Sequence, residues 1–267
     1  MSAAGGTGRV RAMAFDIDGT LAGGDMQVSE RSCRVLARLP AAGITPITIT
    51  GRALPAARLP LESVGTPGYV VGCGGGIAIS TPGQDVLFRR PMPPAVVDEV
   101  LGIAEEFGLV PTVFGDEELY ATTRDDRSAR ILEASNLHRR VVVTDDLRGV
   151  EAIKMMVQGP KDHLDRITPR IKARFPTMHR SLPEFFETSA PGADKKPAIL
   201  DVLDRIGVEA SDCMGFGDGE NDVAWLEAIG HPIAMGNARD DVKAVAGRVI
   251  GPNTDDGVAR FLEDWLG

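Results

Sequence analysis

Apolar, β-branched segments alternate with amphipathic segments along the first third of the chain. Three short runs, Val10–Phe15, Ile44–Ile49 and Tyr69–Val71, have the length and composition of buried strands. Between the first two runs, Ser29 is placed to cap a helix that ends near Gly43. Strands that alternate with helices in this way predict βαβ units and a parallel sheet.

The middle of the chain has a different pattern, in which helices alternate with pairs of short strands. The helices predicted there cover residues 95–107, 125–136 and 161–175. The strands predicted there cover residues 110–114, 118–122, 151–158, 177–182 and 185–188. This order of elements favours a separate α+β unit of about 100 residues, a common size for a domain.

The last third returns to alternating strands and helices. Strands are predicted at residues 213–217 and 232–235, and helices at 196–206, 222–228, 240–246 and 258–266. The chain is therefore predicted to be one α/β domain, residues 9–82 and 190–267, interrupted by an inserted α+β domain, residues 83–189.

A glycine-rich run, Gly72–Gly76, follows the third strand. Such a run could cradle a phosphate, but this one lacks the G-x-G-x-x-G spacing and leads into another apolar segment at residues 77–79. We therefore interpret it as a tight hairpin.

The composition is that of an ordinary globular protein, with 267 residues, 43% of them hydrophobic and 25% charged. The net charge of −9 disfavours binding to nucleic acid, and no apolar run is long enough for a transmembrane helix. Three widely spaced cysteines argue against a disulfide framework. We expect a cytoplasmic protein, a monomer or small homo-oligomer, that binds neither nucleic acid nor membranes.

Two carboxylates, Asp16 and Asp18, stand directly after the first predicted strand. Carboxylates at the carboxyl end of a central strand suit a hard metal ion and a phosphate. One of them can attack phosphorus while the other protonates the leaving oxygen. Taken alone, the string is explained as well by a turn at Asp18-Gly19 with Asp16 as a helix cap.

Three further sites fall where predicted strands end or helices begin. Thr50-Gly51 can offer a hydroxyl and an amide to a phosphate, and Lys195 can neutralise a phosphoryl group. Asp218 and Asp222 carry the oxygen ligands that Mg²⁺ takes, and Asn221 can donate to a phosphate oxygen. Taken one at a time, these sites have simpler explanations: Lys195 could be an ordinary solvated lysine, and Asp218 and Asp222 could be acids at a helix N-terminus. Their shared position at strand ends, which converge on one crevice, is the stronger signal.

With these sites in this order, the chain resembles the haloacid dehalogenase-like (HAD) phosphohydrolases of the Cof type. The motifs are Phe15–Leu21, Ile49–Arg52, Lys195, Gly217–Asp222, Ala234–Ala238 and Asn253–Val258. The resemblance implies a Rossmann-like parallel-sheet core with an inserted α+β cap of type II (C2B). It also implies Mg²⁺ as cofactor and a small phosphorylated metabolite as substrate.

The resemblance also implies a role for each matching residue. Asp16 would be the nucleophile, and Asp18 would be the general acid and base and lend its backbone carbonyl to the metal. The metal ligands it implies are Asp16, Asp18, Asp218 and, through water, Asp222. The phosphoryl-binding residues it implies are Thr50, Gly51, Lys195, Asn221 and the backbone amide of Ile17.

Two positions depart from the pattern of such relatives. Gly74-Gly75 stands where relatives often have Asn-Gly, and Lys195 is followed by Lys196-Pro197 where they often have Lys-Gly. Because proline suits the first turn of a helix, Pro197 predicts that Lys195 lies just outside the helix.

We therefore expect a phosphatase that hydrolyses a small phosphomonoester, of the sugar-phosphate kind, through an aspartyl-phosphate. Two alternatives stay open at this point: a phosphosugar mutase, and a non-catalytic ligand-binding protein on a phosphatase scaffold. The inserted domain would close over the site, and the residues in it that could contact the substrate are Glu117, Arg124, Arg127 and Lys154.

Overall fold

The computed structural model describes residues 10–122 and 141–267. Contacts divide them into two units. One unit consists of the described residues up to Gly51, Ala57–Phe88 and Asp194–Gly267, and the other of Arg52–Ala56 and the described part of Arg89–Ala193. The first division lies a few residues beyond the predicted 82/83, since a strand at residues 86–89 extends the sheet of the first unit, and the second lies at 193/194 instead of the predicted 189/190.

The strands and helices of the described residues are numbered here in chain order. The strands are β1 Ala12–Phe15, β2 Thr45–Ile49, β3 Gly68–Gly72, β4 Ile77–Thr81, β5 Val86–Arg89, β6 Val110–Phe114, β7 Leu119–Ala121, β8 Val141–Val143, β9 Lys154–Gln158, β10 His179–Leu182, β11 Phe185–Ser189, β12 Cys213–Gly217, β13 His231–Ala234 and β14 Arg248–Val249. The helices are α1 Glu30–Leu36, α2 Leu54–Ala57, α3 Leu59–Glu62, α4 Pro94–Phe107, α5 Lys161–Arg174, α6 Lys195–Arg205, α7 Val223–Leu226, α8 Asp240–Val245 and α9 Gly257–Leu266.

The first unit is built on an eight-stranded sheet in the order β14-β13-β12-β1-β2-β3-β4-β5. The strands from β14 to β3 run parallel, and β1 lies in the middle, between β12 and β2. Every residue of β1 and β12 is buried, as expected of a parallel sheet that is covered on both faces. The rings of Phe15 and Phe216, on these two strands, stack with centroids 4.9 Å apart. This confirms the predicted α/β fold.

The glycine-rich run forms the predicted hairpin. Strands β3 and β4 pair antiparallel, with Gly72 opposite Ile77, and the turn between them passes through Cys73 and Gly74 with φ of 53° and 68°. Positive φ is the conformation that tight hairpin turns require.

The first helix begins as predicted but ends early. The side chain of Ser29 caps α1 by accepting a hydrogen bond from the backbone N–H of Ser32, 3.0 Å away. The helix ends at Leu36, where the hydrogen bonds tighten to the 3-10 pattern: the Arg38 N–H donates to the Val35 oxygen and the Leu39 N–H to the Leu36 oxygen, each at 3.1 Å. A 3-10 turn from Pro40 then brings the chain to Gly43.

The second unit has a six-stranded sheet in the order β10-β11-β9-β6-β7-β8. Its strand pairs are antiparallel except for β7 and β8, which pair parallel. The core of this unit joins one face of the sheet to α4 and α5, for example Met155 and Val157 with Ile103 and Leu164. The unit is α+β, as predicted. The helix predicted at residues 125–136 lies outside the described residues.

Within the described residues, the helices are too short or too polar to cross a lipid bilayer.

Candidate active site

Three adjacent strands of the eight-stranded sheet end in predicted site residues. Asp16 follows β1, Asp218 follows β12, and Thr50 follows β2. The parallel register sets Phe15 level with both Phe216 and Thr48. The carboxyl ends of these strands therefore lie at one edge of the sheet, the usual position of a ligand site in an open α/β sheet.

At this edge of the sheet, Lys195 forms ion pairs with two carboxylates. Its Nζ donates to Oδ1 of Asp16 and to Oδ1 of Asp222, each at 2.7 Å. All three side chains are almost fully buried, with exposed fractions of 2%, 7% and 0%. Buried charges are tolerated when they are paired and hydrogen-bonded, and here one ammonium is shared between two carboxylates.

The prediction that Lys195 lies just outside its helix is wrong. Lys195 is the first residue of α6, and the preceding residue, Asp194, is the cap. The Asp194 side chain accepts a hydrogen bond from the Lys196 N–H at 3.4 Å. Pro197 still lies in the first turn, where its missing N–H costs no helical hydrogen bond.

Burial and charge pull the pKa values of this cluster in different directions. Burial, reinforced by Asp222, raises the pKa of Asp16 although Lys195 opposes the effect. Burial also acts on Asp222, but Lys195 and further donors outweigh it and lower its pKa. Burial disfavours the charge on Lys195, and the two carboxylates outweigh it and raise its pKa. Lys195 Nζ nevertheless lies equally close, at 2.7 Å, to Asp16 and to Asp222, so both carboxylates share its charge.

Each carboxylate oxygen of Asp222 accepts two hydrogen bonds. Its Oδ1 accepts from Lys195 and from Nε1 of Trp225 at 2.8 Å. Its Oδ2 accepts from the backbone N–H groups of Asp218 at 3.0 Å and Gly219 at 2.9 Å. Four hydrogen bonds fill the lone pairs of a carboxylate, so Asp222 acts as an anchor for the turn that carries Asp218. The sequence analysis missed Trp225, although its position three residues after Asp222 was a usable signal.

Asp218 lies against the turn that follows Asp18. Its Oδ1 accepts a hydrogen bond from the Thr20 hydroxyl at 2.8 Å, a contact that the sequence analysis missed. Burial, only partly offset by Thr20, raises the pKa of Asp218 to about 6. The two carboxylate-bearing turns, which are distant in sequence, thus meet directly.

The carboxylates have the chemistry of a site for a hard cation. Asp16, Asp218 and Asp222 each offer an oxygen, and these oxygens lie within 4.8 Å of one another. Three carboxylates face one ammonium, which leaves an excess of negative charge that a divalent cation would neutralise. Because Asp222 already accepts four hydrogen bonds, Asp16 and Asp218 are the members with free oxygen capacity.

The remaining predicted residues lie in the same unit. Thr50 and Ile17 are buried, Gly51 is half-buried, and Asn221 and Asp18 are exposed. Asn221 belongs to a 3-10 turn, Glu220–Asp222, that leads into α7. An exposed Asp18 is accessible to a substrate, as an acid or base must be.

In the pair Gly74-Gly75, the departure from the usual pattern lies at Gly74, whereas Gly75, where relatives often have glycine too, is required by packing. Gly75 has φ of 109°, and a Cβ built on it would lie 2.3 Å from the backbone oxygen of Asp194. Only glycine lets the β3–β4 turn approach the residue that caps α6 so closely. This contact supports the start of the helix that carries Lys195.

Of the four residues proposed to contact the substrate from the inserted domain, Arg124 and Arg127 lie outside the described residues. Glu117 lies in the turn between β6 and β7. Lys154 is buried, and its Nζ is 2.7 Å from Oε2 of Glu187, so it takes part in an ion pair of the second unit.

Comparison with known proteins points to one family. A family model described as haloacid dehalogenase-like hydrolase matches residues 13–262. The HMP-PP phosphatase of Citrobacter koseri is 29% identical over 263 residues, which cover 96% of each chain. The 5-amino-6-(5-phospho-D-ribitylamino)uracil phosphatase of Bacillus subtilis is 26% identical, over 95% of this chain and 97% of the relative. The crystal structure of a haloacid dehalogenase-like hydrolase from Bacteroides thetaiotaomicron superposes with a TM-score of 0.86 at 24% identity, over 96% of this chain and 100% of the other.

Proposed function

This chain belongs to the haloacid dehalogenase-like hydrolase family, and we propose that it is a Mg²⁺-dependent phosphatase that hydrolyses a small phosphomonoester of the sugar-phosphate class. The observation that carries the proposal is the buried contact between Lys195 and Asp16 at 2.7 Å, beside the carboxylates of Asp218 and Asp222. Two relatives that align over nearly the whole chain are phosphatases, which supports the reaction class.

In the proposed reaction, Asp16 is the nucleophile. Lys195 holds Oδ1, so we assign Oδ2 as the oxygen that attacks phosphorus. A bond forms between Oδ2 and phosphorus, the bond to the leaving oxygen breaks, and Asp18 donates a proton to that oxygen. Water then attacks the phosphorus of the aspartyl-phosphate while Asp18 takes its proton, and inorganic phosphate leaves Asp16.

The phosphoryl group needs positive charge and donors around it. We assign these to the ammonium of Lys195, the Thr50 hydroxyl, the backbone amides of Ile17 and Gly51, and the Asn221 amide. Asp16, Asp218 and the backbone carbonyl of Asp18 would hold Mg²⁺, and Asp222 would support these ligands. When bound, the ion would supply Lewis-acid stabilisation of the phosphoryl oxygens.

The substrate class is the finer part of the proposal. The name of the Bacillus subtilis relative specifies a 5-phospho-D-ribityl group, which is a phosphomonoester on a sugar-derived chain. A small substrate of this kind carries two negative charges on its phosphoryl group, which Lys195 and a divalent cation match.

A panel of sugar phosphates and other phosphomonoesters, incubated with the protein and Mg²⁺, tests the proposal through the inorganic phosphate released. We expect release from at least one sugar phosphate and none from Asp16→Asn, which is nearly isosteric. Asp204→Asn, an exposed acid on the same helix as Lys195, is the matched control and should keep full activity. Asp18→Asn should slow both half-reactions, and a phosphoenzyme should accumulate with a leaving group that needs no proton.

The same panel separates the alternatives. A phosphosugar mutase would return the phosphate to the sugar, give an isomeric sugar phosphate and require a bisphosphate activator. Turnover to an isomer without inorganic phosphate would therefore contradict the proposal. No release from any member of the panel would favour a non-catalytic ligand-binding protein.

A further inference from the structure

Two asparagines outside the proposed catalytic set hold the turn that follows Asp18. The Asn237 Nδ2 donates to the backbone oxygen of Gly19, and the Asn253 Nδ2 donates to that of Ala22, both at 2.8 Å. The backbone N–H of Asn253 donates to Asn237 Oδ1 at 2.9 Å. Three linked hydrogen bonds thus join both ends of the turn to the C-terminal third of the chain. We call Asn237 and Asn253 the asparagine clamp.

The orientation of the first carboxamide is set by this network. Because Asn237 Oδ1 accepts from the Asn253 N–H, its Nδ2 must face the Gly19 carbonyl. An aspartate at 237 would keep the shape and the acceptor but lose the donor. The clamp therefore depends on an amide and not merely on a side chain of that size.

The clamp is itself firmly held. Asn237 follows β13 and Asn253 follows β14, and the Gly236 N–H donates to the Gly251 oxygen at 3.3 Å. A Cβ on Gly257 would lie 2.1 Å from the same Gly251 oxygen, so the segments pack at backbone distance. The backbone N–H of Arg239, two residues after Asn237, also donates to the backbone oxygen of Asp218 at 3.1 Å. One segment thus ties the Asp18 turn to the turn of Asp218.

The clamp matters more for Asp18 than for Asp16. Asp16 is fixed by its position at the end of β1 and by Lys195, 2.7 Å away. Asp18 lies on the exposed surface and on a turn, one residue before the clamped Gly19. A general acid must stay within hydrogen-bond reach of the leaving oxygen, and small misplacements are costly.

We propose that Asn237 and Asn253 are positioning residues that hold Asp18 in place for proton transfer to the leaving group, an inference that rests on the proposed phosphatase function. It predicts a selective defect. Substrates whose leaving oxygen needs a proton should suffer, and substrates whose leaving group departs as an anion should not.

The test measures kcat/KM of Asn237→Ala, Asn237→Asp and Asn253→Ala with two substrates. One is p-nitrophenyl phosphate, whose leaving group needs no acid, and the other is the alkyl phosphate that the wild type hydrolyses best. We expect each variant to lose at least about tenfold with the alkyl phosphate and less than about threefold with p-nitrophenyl phosphate. Thr254→Ala, an exposed neighbour in the same turn as Asn253, is the control and should match the wild type with both.

An equal loss with both substrates would assign the asparagines a merely structural role and overturn the inference, as would no loss with either. A thermal unfolding midpoint measured on each variant identifies a folding defect, and Asn237→Asp, which keeps the shape and the acceptor but exchanges the donor for a charged carboxylate oxygen, then carries the test. A wild type that hydrolyses neither substrate would overturn the proposed function itself, and that outcome is recognised without any variant.

Discussion

Gly19 and Asp218 are in such close contact that a Cβ added to Gly19 would lie 2.2 Å from Oδ2 of Asp218. The residue also has φ of +86°, a conformation that side chains disfavour. Any residue other than glycine must therefore displace either the Asp218 carboxylate or the turn that carries Asp18. The glycine of this motif is required by the approach of a carboxylate as well as by the turn.

Gly19→Ala should lower kcat/KM by at least about 100-fold, because a misplaced catalytic group costs about that much. Gly24→Ala is the matched control, since no atom lies within 4 Å of a Cβ at that position. Steady-state kinetics with the best phosphomonoester measures the difference. Similar activities for the two variants would show that the close contact at Gly19 is not needed.

Lys195→Met should destabilise the protein and abolish phosphoenzyme formation. The variant leaves Asp16 and Asp222 buried without their shared ammonium, and breaking a buried ion pair in this way costs on the order of 3–5 kcal/mol. Urea unfolding and a single-turnover assay measure the two effects. Lys196→Met, at the exposed neighbouring lysine, should change neither. If Lys196→Met abolished phosphoenzyme formation and Lys195→Met did not, the phosphoryl-binding role would belong to Lys196.

Mg²⁺ should stabilise the wild type and not a variant that lacks a ligand. A cation that binds only the folded state raises the unfolding temperature, and at 100 times its dissociation constant it adds about 2.7 kcal/mol. The shift should be lost in Asp218→Asn and kept in Asp204→Asn, and a chelator should reverse it. Equal shifts in all three proteins would place the cation elsewhere.

Glu187 should stabilise the folded second unit at neutral pH, and this stabilisation should be lost in acid. Burial opposes the charge of Glu187, but Lys154 and His179 outweigh it and lower its pKa from 4.5 to about 2. Because the folded pKa lies below the unfolded one, the stabilisation is present above about pH 4.5 and is lost as the pH falls through about 2. A shift of this size corresponds to about 3 kcal/mol.

Glu187→Gln measures this contribution. At pH 7 the variant should lose about 3 kcal/mol in urea unfolding, and its difference from the wild type should shrink by about half at pH 3. Glu184→Gln, an exposed neighbour in the turn before β11, should be close to wild type at both pH values. A difference that does not change with pH would show that the lost stability has no link to ionisation.

Local pattern predicted most of the elements that carry the site. The strand Cys213–Gly217 was predicted with the bounds that the structure has, because a buried parallel strand is a continuous apolar run between turn residues. The strand Val86–Arg89 was missed, since it is short, half-exposed and at the edge of its sheet, where hydrophobic periodicity is weak. The two-residue strand Arg248–Val249 was missed for the same reason.

The amino-acid sequence by itself determined which acids, amides and glycines stand at the ends of strands, since that depends on neighbours along the chain. Only the tertiary structure decided which of these groups share a contact. Lys195 joins Asp16, which is 179 positions away, and the clamp of Asn237 reaches Gly19 over 218 positions. Such pairs depend on the order of strands in the sheet and on distances of a few ångströms, and hydrogen bonds and ion pairs form only at those distances.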